Sequence, residues 1–239
     1  MQSRRTWLRS GGSAARELFI RSVSSPGTRQ KVSTVKVGIL IFDKVDLLDV
    51  GGPYEVFLTA SRIAARDGSS ARFQVTVLGV TSEPVVAYGG LRLIPETTIA
   101  DMRELDMLVV PGAIAIDDVI ADADLLGAVR KLVGDVPLVA SVCTGAFILG
   151  HLGLLDDRIW TTHWEDVDDL ATRVKGEGRP WVRWADSGRV VTSGGLSSGI
   201  AMSLHLVERL AGRDLAVRAA KQIEYDWDPD AGVRAGDPG

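Results

Sequence analysis

The single cysteine of the chain stands where a strand-like segment meets a helix-like one. Cys143 follows the apolar run Pro137–Val142 and precedes Gly145–Leu152, which has helical spacing. A sharp turn from strand to helix exposes the side chain at the turn, and the first N–H groups of the helix favour a thiolate there. Gly145 permits a close backbone approach, and Thr144 offers a hydroxyl group. We predict that Cys143 is a nucleophile, although a lone cysteine can also be a small buried apolar residue.

The composition of the chain restricts the other chemistry available to it. One cysteine and three histidines in 239 residues exclude an internal disulfide and a multi-cysteine metal site, and we expect neither a metal nor a cofactor. The formal net charge is −4 and the body of the chain has no long basic run, which argues against nucleic acid as the main partner. No apolar run is long enough to cross a bilayer. We expect a cytoplasmic protein that binds a small molecule, with neither a membrane nor a nucleic-acid partner.

Short apolar runs alternate with helix-like segments along the chain. The predicted strands are Val35–Phe42, Phe73–Leu78, Met107–Val110, Pro137–Val142 and Val190–Thr192, with a hairpin over Val85–Ile94. The predicted helices are one that opens at Pro53, then Asp124–Val133, Gly145–Leu152, Asp166–Val174, Ser198–Leu210 and Leu215–Tyr225. This alternation predicts an α/β fold with a mainly parallel sheet and helices on both faces.

Three segments that contain glycine follow the carboxyl ends of predicted strands. They are Asp43–Gly52, Pro111–Ala115 and Cys143–Gly145. Ligands bind outside the carboxyl ends of the strands in such sheets. We therefore expect these three segments to meet in space and to form the functional site.

The two ends of the chain differ in composition from its centre. Residues 1–34 are rich in Arg, Ser and Gly, with Glu17 as their only acid. We predict a disordered extension or an over-long gene start there, rather than an export or organelle-targeting signal. Residues 35–226 are predicted to form one domain, and residues 227–239 a polar tail.

Three stretches of the sequence resemble the DJ-1/PfpI superfamily. They are Asp46–Phe57 (DLLDVGGPYEVF), Val109–Gly112 (VVPG) and Pro137–Trp164 (PLVASVCTGAFILGHLGLLDDRIWTTHW). Within the superfamily, the chain is similar to the isocyanide hydratases and to the amidotransferase-like sensor domains of certain bacterial regulators. The resemblance implies a flavodoxin-like, doubly wound fold of the class I glutamine amidotransferase type, with a strand–nucleophile–helix turn. It also implies a homodimer.

The resemblance further implies a lyase reaction and its residues. In the hydratases the nucleophilic cysteine works with an aspartate from the loop after the first strand, which matches Asp49. By this resemblance, Cys143 adds to the terminal carbon of an isocyanide, and water converts the thioimidate into an N-substituted formamide. Thr144 would contact the sulfur, the carboxylate or the attacking water. The backbone N–H groups of Ala113 and Thr144 would stabilise negative charge on the substrate.

Some of these residues also have structural interpretations or depart from the family pattern. Asp49 could cap the helix that opens near Pro53, and Thr144 could cap the helix after the turn. The superfamily's proteases have a histidine directly after the cysteine, so Thr144 argues against peptidase activity. Ala113 replaces a glycine, and would be strained by about 1 kcal/mol if that position has positive φ. Ala201 replaces an aspartate that is common in relatives.

The predicted substrate pocket involves Gly112, Gly195, Leu196 and His163. The stretch Ser193–Gly199 is interpreted as a tight turn that closes one wall of this pocket, with Leu196 facing the substrate. His163 has two further interpretations. It could be the base of a cysteine–histidine hydrolase, or a packed residue at a helix start.

Two alternative functions remain open from the sequence. An amidase or glyoxalase-like enzyme would use Glu55 or His163 beside the cysteine. A non-catalytic sensor would bind a ligand or be oxidised at Cys143. Regulators of this type carry a helix-turn-helix module after the domain, whereas a short acidic tail follows Tyr225 here, so direct DNA binding is not expected.

Four tryptophans lie in the second half of the domain, namely Trp160, Trp164, Trp181 and Trp184. Packing in the core or in a dimer is the default interpretation for such residues. A hydrophobic pocket wall for an apolar isocyanide is the alternative.

Overall fold

An eight-stranded sheet runs through the computed structural model, which describes residues 34–69 and 71–237. The strands are β1 (Val35–Leu40), β2 (Phe73–Gly79), β3 (Val85–Val86), β4 (Arg92–Leu93), β5 (Thr97–Thr98), β6 (Met107–Val110), β7 (Leu138–Ser141), β8 (Ile159–Trp160), β9 (Glu177–Gly178), β10 (Trp184–Asp186), β11 (Val190–Ser193) and β12 (Val233–Arg234). The helices are α1 (Leu47–Arg66), α2 (Ile116–Ala121), α3 (Ala123–Asp135), α4 (Gly145–His151), α5 (Val167–Arg173), α6 (Ser198–Ala211) and α7 (Arg213–Gln222), with a 3₁₀ turn over Trp164–Asp166.

The order of strands in the main sheet is β12-β10-β11-β7-β6-β1-β2-β5. Only β10 and β11 are antiparallel neighbours in it, and the other described pairs are parallel. Helices α1, α6 and α7 pack together, as do α2, α4 and α5. Because every residue of β6, β7 and β11 is buried, both faces of the central sheet are covered. The prediction of a flavodoxin-like, mainly parallel α/β fold is confirmed.

Helix α1 begins six residues earlier than the sequence suggested. The prediction that it opens at Pro53 is wrong, because the first helical residue is Leu47 and Pro53 lies inside the helix. Asp46 is the N-cap, and its side chain accepts a hydrogen bond from the Leu48 N–H at 3.4 Å. A proline inside a helix leaves the carbonyl four residues earlier without its usual donor, and here that carbonyl belongs to Asp49. Because the helix begins at Leu47, Asp49 lies in its first turn and not in the preceding loop.

The other elements agree with the sequence to within a few residues, with exceptions among the shortest ones. Helix α2 and strands β5, β8, β9 and β10 were not predicted, because elements of two to six residues show little periodicity. Residues 227–239, expected to be a polar tail, contribute β12, which pairs with β10. The predicted extension over residues 1–34 lies outside the described residues except for Thr34. Within the described ranges, no helix is both long and apolar enough to cross a bilayer.

Candidate active site

Cys143 occupies the turn between β7 and α4 in a left-handed backbone conformation. Its φ is 56°, a value that costs a non-glycine residue about 1–3 kcal/mol unless its surroundings enforce it. The Cys143 N–H donates to the Gly194 carbonyl at 3.1 Å, and its own carbonyl accepts from the Thr162 hydroxyl at 2.9 Å. The turn is therefore held from both sides by hydrogen bonds to its main-chain N–H and carbonyl groups, as expected of a strand–nucleophile–helix turn.

Two glycines allow the loops at this sheet edge to approach each other. A Cβ at Gly112 would lie 2.5 Å from the Thr144 hydroxyl oxygen, and one at Gly145 would overlap the Val110 carbonyl. Neither glycine has a positive φ, so space and not backbone conformation requires them. The loops after β6 and β7 are consequently in backbone contact, as the strand-end argument predicted.

Asp49 is fully buried in the first turn of α1, beside the loop after β6. Its Oδ2 accepts a hydrogen bond from the Gly112 N–H at 2.9 Å, while the Asp46 N–H donates to the Gly112 carbonyl at 2.9 Å. Its Oδ1 has no hydrogen-bond partner among the described residues. Burial, with a smaller effect of the Asp46 charge, raises the pKa of Asp49 to about 7, although the Gly112 N–H lowers it. The carboxyl group thus titrates near neutral pH.

The Cys143 thiol is protonated at neutral pH. Burial raises its pKa to about 12, and the negative charge of Asp49 adds to this effect. The backbone N–H groups of Thr144 and Leu196 oppose the shift without cancelling it. The N–H groups at the start of helix α4 favour the thiolate, as expected, but burial and the nearby carboxylate outweigh them. The structure brings together a neutral thiol and a carboxyl group that can accept its proton.

The Thr144 side chain joins the loops after β6 and β7. Its hydroxyl donates to the Ala113 carbonyl at 2.8 Å and accepts from the Ala113 N–H at 2.9 Å. The prediction that the Ala113 N–H faces the substrate is therefore wrong in this structure. Ala113 does not have a positive φ, so the strain expected from the missing glycine does not arise. Ala201, the other departure, is buried within α6.

The glycine-rich turn before α6 supplies a backbone donor that the sequence did not identify. The N–H of Leu196 lowers the pKa of both Cys143 and Asp49, so it lies close to the pair. Leu196 has a φ of 49°, and its side chain is partly exposed, as a pocket wall requires. A glycine-rich stretch followed by a helix is the signal that could have suggested this donor.

The two other candidate bases make their hydrogen bonds to residues other than Cys143. Glu55 is on the exposed face of α1, where it accepts a hydrogen bond from the Thr59 hydroxyl at 2.8 Å. The His163 ring packs on Gly195, and its Nδ1 accepts from the Glu165 N–H at 3.4 Å. Neither Glu55 nor His163 contributes to the pKa of the Cys143 thiol. His163 is thus a packed residue at a helix start that lines the glycine-rich turn.

No candidate metal site is present among the residues that the structure describes. No group of three His, Cys, Asp or Glu side chains there is arranged to hold a metal ion. The chemistry available at this sheet edge is that of a thiol, a carboxyl group and backbone N–H donors.

Comparison with known proteins relates this arrangement to a family. A profile of the DJ-1/PfpI family matches residues 35–209. The isonitrile hydratase of Pseudomonas putida is 34% identical over 191 residues, which cover 80% of this chain and 78% of that enzyme. The HTH-type transcriptional regulator GbdR of Pseudomonas aeruginosa is 24% identical over 80% of this chain, but only 50% of the regulator is covered. The crystal structure of a THiJ/PfpI family protein from Pseudomonas syringae superposes with a TM-score of 0.71 at 25% identity, covering 87% of this chain and 82% of that one.

Proposed function

The chain belongs to the DJ-1/PfpI family, and we propose that its Cys143–Asp49 pair hydrates isocyanides to N-substituted formamides. The observation that carries this proposal is the buried pairing of a neutral thiol with a carboxyl group whose pKa is about 7. A general base works best when its pKa lies near the operating pH. The similarity to the Pseudomonas putida isonitrile hydratase supports the choice of substrate.

In the first step, the Cys143 sulfur attacks the terminal carbon of the isocyanide. Asp49 accepts the thiol proton as the carbon–sulfur bond forms, and then delivers it to the same carbon. The product is a thioimidate, in which that carbon bears one hydrogen and a double bond to nitrogen. Proton transfer through Asp49 allows the thiol to react although the thiolate is scarce at neutral pH.

In the second step, water adds to the carbon of the thioimidate. Asp49 removes a proton from the water molecule, and the nitrogen takes up a proton as its double bond becomes single. The carbon–sulfur bond then breaks, the formamide carbonyl forms, and the sulfur regains its proton. The backbone N–H groups of Thr144 and Leu196 are positioned to stabilise negative charge on the departing sulfur, since both lower the pKa of the thiol. The balance is one isocyanide plus one water to one formamide.

A ligand-sensing domain without turnover is the second candidate, and the match to the regulator GbdR favours it. Sensing by oxidation of Cys143 has less support, because a buried thiol with a raised pKa reacts slowly with peroxide. An amidase or glyoxalase-like enzyme that uses Glu55 or His163 is not supported by the positions of these residues.

The deciding experiment is formamide production from an aryl isocyanide by the purified protein. We expect turnover by the wild type and by Glu55→Gln, which removes an exposed carboxylate that bonds the Thr59 hydroxyl. We expect none by Cys143→Ala, and a loss of at least 100-fold in Asp49→Asn. Absence of wild-type turnover, with a Cys143 that still reacts with an alkylating reagent, would refute the hydratase proposal and favour the sensor.

The proposal also covers the substrate class, the oligomeric state and the location of the protein. We expect a small-molecule substrate, a homodimer and a cytoplasmic location. Light scattering coupled to size-exclusion chromatography measures the oligomeric state, and a single peak at the mass of one 25.6 kDa chain would contradict the dimer.

A further inference from the structure

Two tryptophans stack on each other at the surface beside the glycine-rich turn. The centroids of the Trp164 and Trp181 rings are 6.0 Å apart, with 21° between their planes. Trp164 is 58% exposed and Trp181 is 81% exposed, whereas Trp160 and Trp184 are fully buried. The four tryptophans therefore separate into two core residues and an exposed pair, which needs its own explanation because most tryptophans are largely buried.

The Trp164 side of this pair is connected to the active site through His163. The centroids of the His163 and Trp164 rings are 5.8 Å apart, and the inner edge of the His163 ring packs directly on Gly195. Gly195 lies between Gly194 and Leu196. The Gly194 carbonyl accepts a hydrogen bond from the Cys143 N–H, and the Leu196 N–H lies close to the thiol. One ring thus separates Trp164 from the turn that faces Cys143.

The Trp181 side is connected to the same turn through the chain that follows it. The Gly194 N–H donates to the Arg183 carbonyl at 3.1 Å, and the Arg183 guanidinium bonds the Ser198 hydroxyl at 3.3 Å. Both tryptophans are therefore anchored to the residues that form one wall of the predicted pocket.

The backbone at Trp181 is in the left-handed conformation. Its φ is 63°, which is uncommon for a bulky residue and costs free energy. Burial does not offset this cost, because the ring is 81% exposed. The stacked rings therefore present exposed aromatic surface beside the glycine-rich turn.

We propose that the Trp164–Trp181 pair is a stacking platform that binds the substituent of the substrate and selects flat aromatic groups over aliphatic groups of similar size. This inference rests on the proposed function for the identity of the substrate, an aryl isocyanide. Offset stacking of aromatic rings contributes enough beyond buried area to give a preference of about two- to tenfold. The platform binds the part of the substrate that does not react, so it should change KM more than kcat.

The platform can be tested without any turnover, by alkylation of Cys143 with N-phenyl and N-cyclohexyl iodoacetamide. Rates measured by intact mass are divided by the rates for free cysteine. We expect the wild type to prefer the phenyl reagent about two- to tenfold, and Trp164→Leu and Trp181→Leu to lose that preference. Trp164→Phe should keep most of it. The control is Val217→Ala on α7, which removes an exposed apolar side chain outside the site and should leave the preference unchanged.

Two further measurements separate the possible failures. Calorimetry with N-phenylformamide and N-cyclohexylformamide should show the same preference in the wild type and its loss in the Trp164→Leu protein. Lack of isocyanide turnover together with an intact phenyl preference would refute the hydratase proposal but support the platform. Equal preferences in the wild type and the tryptophan variants would overturn the platform. A change from dimer to monomer in those variants, with the preference unchanged, would show instead that the pair is a contact between copies of the chain.

Discussion

Replacing Asp49 with asparagine should change how the stability of the protein depends on pH. In the fold, the pKa of this carboxyl group is about 7, whereas its ordinary value is 3.8. Between these two values the folded protein binds more protons at this position than the unfolded chain does. The free energy of unfolding therefore falls as the pH rises through this window. Asparagine has nearly the same shape and stays neutral, so the Asp49→Asn protein lacks this contribution.

The magnitude follows from the two pKa values. A difference of about three pH units, at about 1.4 kcal/mol for each, gives a full effect of about 4 kcal/mol. Part of the titration lies below pH 4.5, so about 3 kcal/mol remains between pH 4.5 and pH 8.5. Asp49→Asn should thus gain about 3 kcal/mol of stability relative to the wild type over this range. The cause is that the wild type must bury an ionised carboxylate at high pH.

Urea unfolding at a series of pH values measures this difference. Titrating groups that do not interact with Asp49 cancel when the wild type is compared with the variant at the same pH. Glu55→Gln is the matched control, because Glu55 is exposed, and its curve should run parallel to that of the wild type. If the Asp49→Asn curve is also parallel to the wild type, the Asp49 carboxyl group is not raised in pKa by burial, and its role as a base near pH 7 loses its basis.

Three further changes test the geometry of the turn. Asp49→Asn should lower the pKa of the Cys143 thiol, since it removes a nearby negative charge; the pH dependence of alkylation measures this, and an unchanged pKa would contradict the pairing. Gly145→Ala should destabilise the protein by about 1–3 kcal/mol, because its Cβ would overlap a carbonyl of β6, whereas Gly127→Ala, in open space on α3, should be neutral or stabilising in thermal unfolding. Thr144→Val should cost about 1–3 kcal/mol in urea unfolding and Thr144→Ser much less, because only the hydroxyl bonds the loop after β6; equal losses would contradict this role.

The sequence was sufficient to predict which segments meet at the site. Cys143 lies at a strand end, and the rule that strand ends share one edge of a parallel sheet placed it near Pro111–Ala115 and Asp43–Gly52. The protonation states could not be predicted in the same way. The pKa values of Asp49 and Cys143 depend on burial, which arises only when distant segments pack together.

Errors in the sequence-based interpretation also have physical causes. The prediction of a helix start at Pro53 rests on the preference of proline for the first turn, but the helix begins at Leu47 after its N-cap Asp46, so Pro53 lies in its interior. The pairing of Thr144 with Ala113 depends on how closely two loops approach, which no local pattern encodes. The strand Val233–Arg234 is too short to show alternation, and only its pairing with β10 defines it.

The contacts that hold the turn at Cys143 do not involve its sulfur atom. They are the hydrogen bonds of its own N–H and carbonyl groups, and the space left by Gly112 and Gly145. The backbone shape of the turn therefore does not depend on the side chain at position 143, whereas the proposed reaction needs both Cys143 and Asp49. A descendant that exchanged Cys143 for another residue would lose the proposed reaction and still keep the same backbone turn. Such a scaffold can move between turnover and simple ligand binding through single substitutions.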